Sequence, residues 1–215
     1  MKKPILFFLI VSALLPSLLA AQETKSAITA TADIASNYIW RGTKFGKGPA
    51  IQPGVKFTSG GFTLGAWGNY CLSTEEAAET DLYTSYNFGP VTLGLSKYYF
   101  PGSNFFTAEN HAFELNGGLA LGKFSLSANY ILNEGAGAQG GDAYFEAGWK
   151  SGNFGVFAGA GNGWYTPDTK FNLCNIGVSA AKEIKVTDSF VLPLTGSLIL
   201  NPATEQLFLV AIFSL

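Results

Sequence analysis

The 215-residue chain has one histidine, His111, and two cysteines, Cys71 and Cys174. Covalent catalysis by a serine needs a base within hydrogen-bond reach, and no serine is placed beside His111 by spacing. His111 therefore reads as a loop-contact or interfacial histidine. One histidine with two distant cysteines offers no metal-ligand spacing. The glycine-rich stretches GNGW and AGAGNG lack the strand-to-helix setting that cradles a phosphate. Charged residues are only 13% and the net charge is −2, a poor match to the cationic surface that grips nucleic acid. The expectation is no catalytic residue, no metal, no cofactor and no nucleic-acid partner, hence not an enzyme.

Other polar residues share a phase. Asp33, Lys56, Asp81, Glu114 and Glu146 all fall on the polar side of alternating segments, with Tyr83, Tyr144, Trp67, Asn116 and Asn129 beside them. Enclosed charges are costly unless they pair or meet water. Two readings follow: a hydrogen-bonding, acidic channel lining, or a static ionic network that plugs the interior. Arg41 is expected to fold inward towards Asp81, Glu114 or Glu146.

The segments that carry this phase are strands. About twelve runs alternate apolar with small or polar side chains, the period of a β-strand with two different solvents on its faces. The first, Ala27 to Tyr38, sets Ile28, Ala30, Ala32, Ile34 and Tyr38 against Thr29, Thr31, Asp33 and Asn37. Ile51–Thr58, Thr80–Phe88, Val91–Tyr99, Phe154–Gly161, Phe171–Ala181 and Ser189–Leu200 repeat the pattern, and the chain closes with QLFLVAIFSL. Connections near residues 59–61, 89–90, 121–123, 151–153 and 185–188 are short. Those near 39–49, 71–79, 101–110, 133–141 and 162–170 are longer.

Strict alternation of loop length, over an even strand count, predicts an all-β fold: a transmembrane antiparallel up-and-down β-barrel of about twelve strands. Ten strands, or a periplasmic β-sandwich, are the alternatives. Residues 1–21, with Lys2 and Lys3 before the apolar Ile5–Leu15 and a cut near Ala20 or Ala21, read as a secretory signal peptide. The barrel is assigned to 22–215, in the bacterial outer membrane. Aromatic residues are expected to form two belts at the membrane interfaces. Tyr38, Trp40, Tyr70, Tyr98, Tyr99, Tyr130, Trp164 and Tyr165 mark the long-loop end. Phe57, Phe62, Phe88, Phe124, Trp149, Phe154 and Phe190 mark the short-turn end. Cys71 and Cys174 fall on the third and tenth strands, far apart around such a wall, and read as two small thiols with a bridge left open.

SNYIWRGTKFGKGPAIQPGVKF (Ser36 to Phe57) resembles the N-terminal signature of the Gcw_chp or TorF family, proteins proposed to be outer-membrane porins. There, a strand ends in an aromatic-x-x-Arg-Gly turn and returns through Pro-x-x-Gln. GDAYFEAGWKSGNFGVFAGAG and NIGVSAAKEI are similar to that family's later strands. The resemblance implies a porin and brings no substrate or catalytic residue.

The expected function is a narrow channel for passive diffusion of small solutes. Its lining would be Asp33, Lys56, Asp81, Tyr83, Glu114, Asn116, Tyr144 and Glu146, and its loop gate Arg41, Lys44 and Lys47. These cations could equally meet lipopolysaccharide phosphates, and the C-terminal strand the outer-membrane assembly machinery. Val191, Ile199, Phe208, Val210, Ile212 and Phe157 take the inward phase, so part of the interior is apolar. A plugged structural or adhesion barrel acting through its loops, and a hydrophobic-substrate transporter, remain the alternatives.

Overall fold

The computed structural model describes residues 26–73, 78–102 and 104–215. The signal peptide read at 1–21 and the middle of the 71–79 loop lie outside them. In chain order the strands are β1 (Ser26–Ala35), β2 (Tyr38–Trp40), β3 (Thr43–Phe45), β4 (Ala50–Ser59), β5 (Phe62–Cys71), β6 (Glu79–Asn87), β7 (Val91–Tyr99) and β8 (His111–Leu121). They continue with β9 (Phe124–Ile131), β10 (Glu134–Gly135), β11 (Ala138–Gln139), β12 (Ala143–Ser151), β13 (Phe154–Gly161), β14 (Asn172–Lys185), β15 (Val191–Asn201) and β16 (Gln206–Ser214). Twelve of them form one closed antiparallel barrel, each paired with its chain neighbour and β1 with β16. The pairs β2–β3 and β10–β11 are separate two-stranded hairpins in the long loops.

Three of the short connections are two-residue turns, Gly60-Gly61, Gly122-Lys123 and Gly152-Asn153. Their first residues have φ of 58°, 61° and 56°, the sign that primed hairpin turns demand and that glycine supplies without strain. Alternation along each strand then fixes the two faces. Outward Leu64, Leu93, Leu115, Leu126, Phe145 and Leu209 are all about half exposed or more, an apolar band around the wall. Inward Gln52, Asn69, Glu79, Glu114, Asn129 and Asn175 are buried.

The barrel is packed from one end. The buried cluster of Tyr98, Ala112, Ile131, Ala138, Tyr144, Tyr165 and Cys174 lies inside the long-loop half, with Trp40, Ala136 and Trp164 against it. Inward rings elsewhere lie over glycines of the neighbouring strand, Tyr83 over Gly65 and Phe157 over Gly177. With no side chain at the glycine, the ring covers the strand and fills the interior.

Two expectations need correction. The first strand does not reach Tyr38. It ends at Ala35, where Ser36 donates its N–H to Ala211 O (2.8 Å) while its hydroxyl accepts from the Ala211 N–H (3.0 Å). That exchange terminates the β1–β16 seam, and the chain leaves the wall. Tyr38 is consequently buried inside, not outward. The long-loop aromatic belt also divides: Tyr70 and Tyr130 are half exposed, but Tyr38, Trp40, Tyr98, Trp164 and Tyr165 pack within the lumen. Cys71 and Cys174 are both buried and form no disulfide, in keeping with the reading of two small thiols, and Cys71 Sγ hydrogen-bonds Lys47 O at 3.1 Å. The short-turn aromatics Phe57, Phe62, Phe88, Phe124, Phe154 and Phe190 are exposed as a belt requires.

Gly177→Val would drive a side chain into the Phe157 ring, and overpacking of that kind costs about 1–3 kcal/mol. The folded barrel should unfold at lower urea concentration than wild type. Gly117→Ala is the control: an added Cβ there meets only the Ala128 carbonyl oxygen at 3.4 Å, and the midpoint should hardly move.

Candidate functional site

β2 and β3 form a hairpin that folds into the barrel instead of extending above it. Trp40 pairs with Thr43, so Arg41-Gly42 is the two-residue tip. Both have positive φ, 50° and 83°, as a type I′ turn requires. Arginine is a poor residue for that conformation, which costs about 1 kcal/mol or more outside glycine. Gly42 is required twice over: by its φ, and because a Cβ there would overlap the Cys174 carbonyl oxygen.

That carbonyl is brought inward by a break in strand register. Gly159 pairs with Asn175 but Ala160 pairs with Leu173, leaving Cys174 as the extra residue of a bulge. Cys174 and Asn175 are therefore both buried despite being adjacent, which regular alternation forbids. Asn201 at the end of β15 adds a second tie, donating its Nδ2 to Gly42 O at 3.0 Å.

The tip delivers Arg41 to Glu114 on β8. Nη1 reaches Oε1 at 2.5 Å and Nη2 reaches Oε2 at 2.9 Å, a two-pronged pair. Glu114 is fully buried and the Arg41 side chain only 14% exposed. The carboxylate accepts three more hydrogen bonds: Tyr98 OH at 2.8 Å, Tyr165 OH at 2.5 Å and Asn116 Nδ2 at 2.7 Å. Five donors fill its acceptor capacity, so its charge is compensated without water. The guanidinium carbon lies 4.7, 4.6 and 5.1 Å from the ring centres of Trp40, Tyr144 and Tyr165, within cation–π range. Burial alone would lower the basicity of Arg41; the hydrogen bonds and charge of Glu114 outweigh it and raise its pKa. Burial likewise pushes the Tyr165 phenol up, and its hydroxyl stays a donor.

Two further groups hold the surroundings. Tyr144 donates to Glu146 Oε2 at 2.5 Å, and Asn175 Nδ2 bonds both, at 2.9 and 3.0 Å. This fixes the ring that faces Arg41. At the base of the hairpin, Tyr38 packs on Trp67, with centroids 5.5 Å apart. Glu79, buried, and Asp81 lie beside it on β6. Towards the short-turn end the lumen opens into a cavity of about 300 Å³. Tyr83, Ser85, Thr92, Ser96, Asn116 and Asn129 line it. Asn116 accepts from Ser96 Oγ (2.8 Å) and donates to Asn129 Oδ1 (3.0 Å) and Glu114, so the cavity ends at the latch.

The structure thus brings Arg41, Glu114, Asn116, Tyr144 and Glu146 into one cluster, and the acid that Arg41 finds is Glu114. Tyr83 faces the cavity and Asp81 lies under the hairpin base. Asp33 sits apart on β1, opposite Gln52. Lys56 is exposed, as are Lys44 and Lys47 beside the hairpin; the ion pairs among the described residues are Arg41–Glu114 and Lys185–Asp188. His111 is a rim residue, with Nε2 2.6 Å from Phe105 O and its ring against Tyr99 and Phe105. Tyr98, Tyr165, Trp40, Glu79 and Asn201 were not foreseen. For Tyr98 and Glu79 the signal was present: each shares a strand phase with Ser96 or Asp81.

A family model described as bacterial protein of unknown function (Gcw_chp) matches residues 21–187, and the chain belongs to that family. The match carries neither the TorF name nor a porin label. No curated protein and no solved structure matches.

Arg41→Ala would leave Glu114 buried with its charge uncompensated, a loss of about 3–5 kcal/mol for a broken buried pair. Trypsin should then cut at Lys44 faster than in wild type, as the hairpin leaves the lumen. Adding Glu114→Gln removes the stranded charge, so the double variant should recover urea stability relative to Arg41→Ala while its hairpin stays cleavable. Wild-type cleavage and stability in Arg41→Ala would refute the latch.

Proposed function

We propose that this Gcw_chp family member is an outer-membrane barrel acting as a passive channel for small solutes, with the β2–β3 hairpin as its gate. The carrying observation is that the β2–β3 hairpin enters the long-loop half of the lumen, packs there against inward rings of the wall and of the loop after β13, and leaves a polar cavity beneath it. The wall strands beneath offer Ser, Thr, Asn and Tyr side chains to a cavity of about 300 Å³, enough for a small molecule.

Membrane insertion is supported by the outward band. Half-exposed leucines and phenylalanines around the whole wall would be a liability in water, but they suit hydrocarbon. Closure of the sheet leaves few free edges, as hydrocarbon requires. Such a protein would be exported by the leader read at 1–21 and inserted by the assembly machinery through β16. Exposed Lys44 and Lys47 would meet lipopolysaccharide phosphates or solvent. Selectivity would come from lumen charge and hydrogen bonding, with no covalent step. The hairpin's depth of burial favours one other reading, a permanently plugged barrel whose loops bind a partner.

Planar-bilayer recording separates the two. Wild type should give rare or small openings, and replacing residues 38–45 by a glycine–serine linker should give frequent single-channel steps. Absence of steps in both proteins would refute the channel and favour the plugged barrel.

A further inference from the structure

We infer that the pocket around Glu114 is a binding site for guanidinium-bearing solutes, and that Arg41 is its tethered occupant. This rests on the channel reading and names its solute class. The argument begins with which parts of the pocket belong to the gate. Glu114, Tyr98 and Asn116 are on β7 and β8, Tyr144 is on β12, and Tyr165 is in the loop after β13. Only Trp40 travels with the hairpin. When the hairpin leaves, the carboxylate, its phenol and amide donors and two of the three rings stay behind.

What stays behind is shaped for one chemistry. Oε1 and Oε2 accept in parallel from Nη1 and Nη2, a geometry that a planar two-pronged cation matches. Tyr144 and Tyr165 flank the cation at 4.6 and 5.1 Å, as suits a flat, weakly hydrated, delocalised charge. An ammonium group is a compact point charge and satisfies neither feature as well. Tyr165 OH also accepts from Nη1 at 2.9 Å while donating to Glu114 at 2.5 Å, so the phenol reads the cation and the carboxylate together.

Opening then has a condition attached. Glu114 has no exposure at all, and an unpaired carboxylate is expensive to leave there. A solute guanidinium that replaces Arg41 removes that penalty, so hairpin release is coupled to the arrival of the ligand. The cavity approaches the site from the short-turn side, where Asn116, which lines it, is the single side chain bonded to Glu114 from that direction. An anion or a neutral sugar has nothing to exchange with.

The test uses full-length Arg41→Ala protein in detergent, titrated with L-arginine, guanidinium chloride, L-lysine and sodium chloride at matched ionic strength and millimolar concentration. Thermal unfolding and intrinsic tryptophan fluorescence are read. Arginine and guanidinium should raise the melting temperature saturably, with half-saturation about tenfold lower than for lysine, as fork geometry implies. The shift should vanish in Arg41→Ala/Glu114→Gln and be small in wild type. Equal effects of arginine, lysine and salt, or a shift surviving Glu114→Gln, would overturn the site. If Arg41→Ala does not fold, Arg41→Lys, which keeps the charge without the fork, is titrated with the same outcomes. Bilayer recording is the separate arm: arginine binding without conductance removes the channel but keeps the site, and conductance without arginine preference does the reverse.

Discussion

A guanidinium and a carboxylate are buried together in the middle of the barrel, and the long-loop half of the molecule is organised around keeping them satisfied. Desolvating two such charges costs several kcal/mol each in a protein interior, and their attraction offsets this only with near-ideal geometry. Here the geometry is supplied from five separate places. β7 gives Tyr98, β8 gives Glu114 and Asn116, β12 gives Tyr144, the loop after β13 gives Tyr165, and the hairpin gives Arg41 and Trp40. No two of these elements could shift in register without exposing the pair.

The wall accommodates this by irregularity where the hairpin touches it. Strict alternation would turn Cys174 outward, but the bulge opposite Gly159 and Ala160 turns it in, with its carbonyl against Gly42. Bulges concentrate near functional sites because they re-aim a residue without breaking a sheet. Ser36 does the complementary job at the other side. By exchanging two hydrogen bonds with Ala211, it ends the seam and releases the chain inward, so the polypeptide itself becomes the obstruction.

The barrel was legible because period-two alternation is local and recurs along twelve strands, with two-residue glycine turns joining three of the hairpins. Strand limits at Val91–Tyr99 and Phe154–Gly161 emerge from sequence unchanged. The lumen was less legible, for a reason visible at Tyr98 and Tyr99. Adjacent strand residues face opposite ways, so an interfacial belt can take only one of them; Tyr99 lies on the outward phase and Tyr98 bonds Glu114. Amphipathic rings suit a membrane interface and a packed lumen equally, and only phase distinguishes the two. Alternation carried on from the first strand puts Tyr38 on the wrong phase, and Trp40 and Tyr165 have none to read, because all three lie in long connections whose path is set by contacts distant in sequence. The Arg-Gly dipeptide between two aromatic triplets was the one local sign of a hairpin tip.

That dipeptide shows how firmly the hairpin can be held. A type I′ tip is best made by Asn-Gly or Gly-Gly, and arginine at its first position raises the energy of the closed state by about 1 kcal/mol. The strain cannot be designed away, since the side chain at that position is the one that reaches Glu114. Gly46 and Gly48, with φ of 68° and 88°, return the chain to β4 through backbone that other residues resist. A hairpin with a strained tip and a glycine-rich return is docked by its contacts and opposed by its own backbone. In the gating proposed above, that opposition narrows the difference between the two states that a solute has to reverse.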